Sequence, residues 1–259
     1  MKRIYIISAL ITVLFLSAFK GFSQETEAEA EGECPASIDL GADLVSRYVW
    51  RGIQYGNASL QPTMGLSVGN FSFGTFGSAS LMSNTDVMIL QEADFYAQYT
   101  FADMFTVLVY DYFYGADFAE NRYFEYAKDS TAHVIEATLS FDGTEKIPFS
   151  FLVAANVYGA DARNLDNSLV YSTYAELAYN TELKNTGISA FIGAALNAPD
   201  DETLPSYYAN SKPALINLGV TVTKEIPITD KFSLPIFGSF VTNPYASNAW
   251  MLFGISISN

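Results

Sequence analysis

The sequence predicts an all-β protein, a closed up-and-down transmembrane antiparallel β-barrel of about 12 strands. Three observations predict this fold class. Apolar and polar residues alternate with period two from Ser37 to the end, short and long connections follow each other in turn, and the polar face is rich in Gly, Ser, Thr and Asn. Outer-membrane barrels combine alternating strands, an even strand number and short periplasmic turns opposite longer outer loops.

Residues 1–24 precede this pattern and have the layout of a secretory signal peptide. Lys2 and Arg3 open the segment, and an apolar run from Ile4 to Leu16 leads into small and polar residues. The run is short for a membrane span of ~20 residues, so we expect cleavage near Gln24 rather than an anchor. Export followed by barrel formation predicts the outer membrane as the location.

Residues 25–36 are acidic and nearly free of large apolar groups, and we expect a disordered leader there. The barrel is expected to occupy 37–259. Because 1–24 holds three of the 13 basic residues and no acidic one, the mature chain keeps 10 basic and 28 acidic residues, a net charge of −18. That charge argues against a nucleic-acid partner. The single cysteine, Cys34, cannot form an internal disulfide.

The first predicted strand covers 38–50 and shows both faces of the alternation. Its apolar parity includes Leu44, Tyr48 and Trp50, whereas the other parity carries charge. The charged residues of that parity, counting one just past the strand, are Asp39, Asp43, Arg47 and Arg51. Since alternate side chains point to opposite sides of a strand, we expect the large apolar groups to face lipid and the charges to face a polar lumen.

Eleven further stretches complete the predicted barrel. The full set is 38–50, 60–69, 71–81, 89–99, 104–115, 135–141, 149–158, 171–180, 188–197, 216–223, 232–241 and 249–258. Short connections are expected near 70 and at 102–103, 142–148, 183–187 and 225–231, with longer ones at 53–57, 82–86, 116–130, 159–168, 199–212 and 242–248. A 12-strand barrel needs this interleaving when both termini lie on the short-turn side.

A soluble β-sandwich would alternate in the opposite sense, with its polar face toward water. Here the polar face carries hardly any lysine, which is unusual for a water-exposed surface. The aromatic residues also favour a membrane, because they are expected to form two interfacial girdles. The long-loop girdle would contain Tyr48, Trp50, Tyr110, Tyr112, Tyr114, Tyr171 and Trp250, and the short-turn girdle Phe71, Phe73, Tyr99, Phe101, Phe105, Phe141, Phe149, Tyr179 and Phe232.

The stretch 104–115 departs from the pattern because both of its faces are apolar. Val107 and Val109 lie on one face, while Tyr110, Tyr112 and Tyr114 lie on the other. A loop folded into the lumen would explain an apolar inner face. An apolar outer face is also a candidate contact surface for a homo-oligomer.

One segment carries a family resemblance. The chain from 46 to 80 reads SRYVWRGIQYGNASLQPTMGLSVGNFSFGTFGSAS and resembles the TorF-type porins, the Gcw group of bacterial outer-membrane proteins. The shared features are Tyr-Val-Trp-Arg-Gly from Tyr48 to Gly52, then Pro62 and a Gly-rich second hairpin. The resemblance implies an outer-membrane barrel and a channel without a defined substrate. The terminal Asn259 departs from the aromatic residue usual at the end of such barrels.

The lumen is the candidate functional site. Asp39, Asp43, Arg47 and Arg51 are expected to line it, and Glu92, Asp94, Glu136 and Glu176 have the matching parity on other strands, with Asp111 as a further candidate. Strand neighbours at i and i+4 lie ~13 Å apart, so the arginines must meet carboxylates from other strands. The residues predict either an electrostatic constriction that selects polar solutes or a salt-bridge network that fills a narrow lumen.

These observations predict a porin-like outer-membrane channel for passive diffusion of small polar solutes. The expected partners are those solutes, outer-membrane lipid and lipopolysaccharide; we expect no cofactor, no metal and no catalysis. The alternatives are a structural or adhesin-like barrel with a plugged lumen and a barrel lipid hydrolase. The hydrolase would use His133, which shares the lipid-facing parity of Ile135, but the sequence offers no serine within the reach that a nucleophile–base pair needs.

Overall fold

The computed structural model of this protein describes residues 36–81, 90–115, 122–128, 130–229 and 232–259. Within these residues the chain forms a closed antiparallel barrel of 12 strands and one additional two-stranded hairpin. The predicted fold class, an all-β up-and-down transmembrane barrel, is therefore confirmed. The predicted signal peptide and leader, except for Ala36, lie outside the described residues.

The strands are numbered in chain order. They are β1 Ala36–Val45, β2 Tyr48–Trp50, β3 Ile53–Gly56, β4 Ser59–Val68, β5 Phe71–Ser80, β6 Leu90–Phe101, β7 Phe105–Phe113, β8 His133–Phe141, β9 Phe149–Gly159, β10 Thr173–Glu182, β11 Thr186–Ala195, β12 Ala214–Thr229, β13 Phe232–Asn243 and β14 Asn248–Ser258. Twelve of them build the wall, and β2 and β3 pair only with each other. No helix in the described part of the chain is long and apolar enough to cross a membrane.

The wall closes where β1 pairs with β4 on one side and with β14 on the other. In every other pair of wall strands, the two strands follow one another along the chain. Short turns and long loops alternate as predicted except between β13 and β14, where a four-residue turn at 244–247 stands in place of the predicted longer loop. β1 begins at the same end at which β14 finishes. Two of the short turns place both central residues at positive φ, namely Ala102 with Asp103 and Lys184 with Asn185, a conformation whose twist matches that of paired strands.

The outer surface of the barrel is apolar. Side chains that alternate outward along the wall are large and remain exposed, although folding normally buries such groups. They include Leu66, Phe73, Phe95, Val107, Leu139, Ile192, Val220, Phe240 and Phe253, which together represent strands around the whole wall. A continuous apolar band of this kind matches the lipid-facing surface of a transmembrane barrel and would be unfavourable in water.

The two predicted aromatic girdles have different outcomes. The short-turn girdle is confirmed, because its rings lie on the outer surface and contact one another across strands, as in the Phe71–Tyr99 pair at 4.6 Å and the Phe149–Tyr179 pair at 5.2 Å. The long-loop girdle is wrong. Of its seven residues, Tyr171 is exposed, and Tyr48, Trp50, Tyr110, Tyr112, Tyr114 and Trp250 point into the barrel.

The interior of the wall is polar and buried. Its inward-facing residues include Gln61, Ser78, Glu92, Asp94, Glu136, Asn156, Glu176, Ser189, Asn217, Thr221 and Ser239. Their positions follow from the alternation, since most of them lie next to outward-facing residues on the same strand, as Thr221 does between Val220 and Val222. The inside-out distribution expected from the sequence is therefore present: large apolar groups point outward, and carboxylates, amides and hydroxyls point inward.

Candidate functional site in the barrel lumen

The β2–β3 hairpin lies inside the barrel, and it is the main difference from the predicted structure. The sequence predicted one strand across 38–50, but β1 ends at Val45 and the chain then folds inward. Tyr48, Val49 and Trp50 are at most 5% exposed. We call the segment from Tyr48 to Gly56 the lumenal hairpin.

The lumenal hairpin contacts strands on opposite sides of the wall. The ring centroids of Trp50 and Tyr112 of β7 lie 5.2 Å apart. Val49 packs in a cluster with Phe237 of β13 and Leu252 of β14. On the β12 side the backbone of Gly52 lies so close to Ile216 that an added Cβ would sit 1.8 Å from the carbonyl oxygen. The hairpin therefore spans the lumen at its long-loop end.

The tip of the lumenal hairpin is a two-residue turn made by Arg51 and Gly52. Both residues have positive φ, at 49° and 70°, and Trp50 pairs directly with Ile53 across the turn. Turns of this type favour Asn or Gly at the first position, and a left-handed non-glycine residue costs roughly 1–2 kcal/mol. Turn chemistry thus does not explain an arginine here, whereas its side-chain contacts do.

Arg51 makes the one arginine–carboxylate ion pair among the described residues. Its two terminal nitrogens donate to Glu136 of β8 at 2.5 and 3.0 Å, and Nη1 also donates to the Tyr208 hydroxyl at 2.5 Å. The guanidinium carbon lies 4.2 Å from the Trp50 ring centroid and 4.6 Å from that of Tyr174. Planar bidentate pairing and stacking on aromatic faces are the contacts that a guanidinium makes best.

Tyr48 joins the base of the lumenal hairpin to the acidic residues of β6. Its hydroxyl donates to Glu92 at 2.6 Å, and Asp94 on the same face of β6 accepts from the Phe113 amide at 2.9 Å. Both carboxylates are almost fully buried. Neither has a cation within salt-bridge distance in the described structure.

Glu176 lies in the wall near Arg51 but is not paired with it. Its carboxylate accepts hydrogen bonds from the Tyr174 hydroxyl and, at 2.7 Å, from the Asn217 amide. Asn217 also donates to the Tyr174 hydroxyl at 3.0 Å. The three side chains form a hydrogen-bonded group that holds the Tyr174 ring against the Arg51 guanidinium.

The other charged residues predicted for the lumen lie apart from the Arg51–Glu136 ion pair. Arg47, in the turn before β2, donates to Gln54 of the hairpin at 2.6 Å and meets no carboxylate. Asp39 and Asp43 point inward from β1, where Asp43 stands beside Gln61 of β4 in register. The structure therefore brings one predicted pair together, Arg51 with Glu136, and its role in solute selection remains a prediction.

Several aromatic residues of the site were not predicted to be there. Tyr55 of β3 stacks on Tyr114 at 5.6 Å, and the Tyr114 hydroxyl lies 3.3 Å from that of Tyr207. Tyr207 and Tyr208 come from the loop between β11 and β12. The doubly apolar stretch 104–115 was the sequence signal for this cluster, and the loop in the lumen that it predicted is confirmed by the lumenal hairpin.

His133 lies on the outer side of the wall, as its parity predicted, but it does not face lipid. The segment from 122 to 128 covers it, so the side chain is 0% exposed. Nδ1 contacts Asp111 at 2.7 Å and Nε2 contacts the Tyr123 carbonyl oxygen at 2.5 Å. Both ring nitrogens are thus occupied, which leaves neither for the serine that a hydrolase would need. Asp111, a candidate lumen residue, also points outward.

Within the described residues, no group of three or more potential metal-ligating side chains occurs. The exposed loop carboxylate of Asp166 instead bonds to Ser168, and these hydrogen bonds lower the pKa of Asp166. In the lumen one guanidinium is paired with a carboxylate, and Glu92, Asp94 and Glu176 are buried without a cationic partner among the described residues.

Comparisons with known proteins agree with the family resemblance. A family model described as "Bacterial protein of unknown function (Gcw_chp)" matches residues 29–207. No curated protein matches the sequence. Among solved structures, the NanC porin in a rhombohedral crystal form has 12% identity over 86% of this chain and 98% of that chain, with a TM-score of 0.41. A structure titled "Unveiling the Mechanism Behind the in-meso Crystallization of Membrane Proteins" has 9% identity over 86% and 83%, with a TM-score of 0.42.

At these sequence identities and TM-scores, neither structural similarity bears on function. The family match, in contrast, covers more than half of the chain and includes the lumenal hairpin. On that basis the chain belongs to the Gcw_chp family of bacterial proteins.

Proposed function

We propose that this protein is an outer-membrane channel for small polar solutes that its own lumenal hairpin closes at the long-loop end. The observation that carries the proposal is the placement of a separate element, β2–β3, across the lumen of a closed barrel. Side chains alone fill barrels of about eight strands, whereas 16 to 18 strands leave an aqueous channel. At 12 strands the hairpin occupies space that wall side chains would leave open.

The short-turn half of the lumen supports a polar pathway. Small hydroxyl residues line it in cross-strand pairs, such as Ser67 with Ser72 at 2.9 Å and Thr100 with Thr106 at 3.0 Å. Ser67, Ser72 and Thr100 remain half-buried, so water reaches them. Polar solutes could therefore enter from the short-turn end and would meet the lumenal hairpin at the other end.

The outer-membrane location rests on the apolar outer surface together with the predicted signal peptide. Outward residues such as Leu139 and Phe253 are more than half exposed and would contact acyl chains. The partners that follow are outer-membrane lipid and, at the long-loop end, lipopolysaccharide. A homo-oligomer through β7 stays a prediction.

Conductance in planar bilayers tests the proposal with a shortened variant. Val45 and Ser59 are direct cross-strand partners, so a two-residue Asn-Gly turn can replace residues 46–58 and remove the lumenal hairpin. A matched control replaces 164–168 with the same turn, because Arg163 and Leu169 are bridged in an outer loop. The control shortens an outer loop and leaves the lumenal hairpin in place.

The channel predicts low or intermittent current from the wild type and the control, and large steady current from the shortened variant. The burial of Tyr48, Val49 and Trp50 of the lumenal hairpin favours one other candidate, a structural barrel with a permanent plug. The β-sheet circular dichroism of each protein checks that it is folded. If none of the three folded proteins conducts current, the result contradicts the channel and supports the structural barrel.

A further inference from the structure

The pocket that holds Arg51 is built mostly by the wall and not by the hairpin. Glu136 comes from β8, Tyr174 from β10 and Tyr208 from the loop between β11 and β12. Trp50 is the one ring contributed by the lumenal hairpin itself. If the hairpin left, an aromatic and carboxylate pocket would stay in the wall. We call these three residues, two from the wall and one from the β11–β12 loop, the guanidinium pocket.

The charge of the interior favours a cationic occupant. Glu92, Asp94, Glu136 and Glu176 are all buried wall carboxylates, and Arg51 is the cation that pairs with one of them. Buried carboxylates are unfavourable unless they are paired or neutralised. An additional cation in this lumen would therefore be stabilised, whereas an anion would be repelled.

The lumenal hairpin is attached to the wall in a way that would let a bound solute displace it. Its strands pair only with each other, and no backbone ladder joins β2 or β3 to the wall. Side-chain contacts at the tip, chiefly the Arg51–Glu136 pair, and at the base, Tyr48 with Glu92, hold it instead. A solute that competes for Glu136 therefore competes with the hairpin itself.

We propose that the guanidinium pocket binds a small solute that carries a guanidinium group, and that this solute takes the place of Arg51 and frees the lumenal hairpin. The inference rests on the proposed channel and names the class of solute that opens it. Glu136 accepts two parallel hydrogen bonds from such a group, the Tyr208 hydroxyl accepts a third, and the Tyr174 ring stacks on one of its faces. A neutral urea group of the same shape would lack the charge that the buried carboxylates require.

Binding can be tested separately from transport by chemical rescue. In Arg51→Ala the guanidinium pocket loses its occupant, and ethylguanidinium is expected to raise the midpoint of thermal unfolding more than an equal concentration of ethylurea does. The double variant Arg51→Ala/Glu136→Gln should show no such difference. Equal effects of the two compounds on Arg51→Ala would overturn the proposal. If Arg51→Ala does not fold, Arg51→Gln serves in the same comparison.

Transport is tested with L-arginine and its neutral isostere L-citrulline at matched ionic strength. L-Arginine should raise the open fraction of the wild type several-fold, since charge-assisted bidentate hydrogen bonds are stronger than neutral ones. L-Citrulline should leave the open fraction of the wild type unchanged. The shortened variant, which has no hairpin to displace, should be open with either compound.

The outcomes separate the two proposals. If the shortened variant conducts but L-arginine and L-citrulline act alike on the wild type, the channel stands and the guanidinium inference is wrong. If the shortened variant does not conduct, the channel is wrong. The rescue experiment then decides by itself whether the pocket recognises a guanidinium group.

Discussion

Arg51 joins the tip of the lumenal hairpin to the wall of the barrel. It occupies a left-handed position that arginine does not favour, and its guanidinium is paired with Glu136 while two aromatic rings cover it. Removal of one partner from a buried ion pair leaves an uncompensated charge. The stability of the hairpin in the lumen should therefore depend on Glu136 more than on the other carboxylates.

We expect Glu136→Gln to lower the free energy of unfolding by about 3 kcal/mol, the usual cost of breaking a buried pair. Glu176→Gln is the matched control, because Glu176 is also buried but accepts hydrogen bonds from neutral partners, for which a loss of about 1 kcal/mol is typical. Urea unfolding of the detergent-solubilised protein measures both. Equal losses would show that the Arg51 pair does not stabilise the fold.

Gly52 is required at the hairpin tip for two reasons, its φ of +70° and its close contact with the Ile216 carbonyl. We expect Gly52→Ala to displace the lumenal hairpin and make Tyr48, Trp50 and Tyr55 accessible to chymotrypsin. Gly238→Ala is the control, since the nearest atom to an added Cβ there lies 4.0 Å away. Cleavage of both variants at the wild-type rate would contradict this placement of Gly52.

Among the structural elements, the strands of the wall were predictable. The stretch 104–115 also predicted a segment in the lumen, but the sequence did not show that this segment is the chain after Val45. Alternation identified the wall strands because lipid and water impose opposite demands on the two faces of each strand. The break after Val45 has no Gly or Pro, and Tyr48 and Trp50 continue the apolar parity of β1. Parity states which residues share a face, but it does not show that a chain has turned inward.

The loop from 122 to 128 shows the same limit on the outer side of the wall. The alternation correctly predicted that His133 points outward. It could not predict that the loop covers His133, because this depends on contacts with Asp111 and Tyr123, which are distant in sequence. Tyr126 adds a third contact, because its hydroxyl donates to Asp111 at 2.8 Å. His133 and Asp111 together hold this loop against the barrel.

We expect Asp111→Asn to release this loop, because the neutral amide replaces the carboxylate that accepts from both His133 and Tyr126. Trypsin should then cleave after Lys128 faster than in the wild type. The control is Asp166→Asn, which changes an exposed carboxylate in another outer loop. If cleavage after Lys128 is equally slow in Asp111→Asn and the control, Asp111 does not hold the loop.

For the whole molecule, the excess of buried carboxylates predicts the ion preference of the lumen. Glu92, Asp94 and Glu176 have no cationic partner within the described residues. We expect the shortened variant to prefer cations, with a reversal potential in a potassium chloride gradient displaced toward that of potassium. A reversal potential displaced toward chloride would contradict an acidic lumen.

The central claim is the inside-out arrangement of the barrel with its hairpin in the lumen, and the tryptophans test it most directly. Trp50 and Trp250, the chain's two tryptophans, both face inward, whereas Phe73 is an exposed outward residue. In vesicles containing brominated lipid, the emission of the wild type should be barely quenched, and the emission added by Phe73→Trp should be strongly quenched. Strong quenching of the wild type, or none of the added emission, would contradict the account.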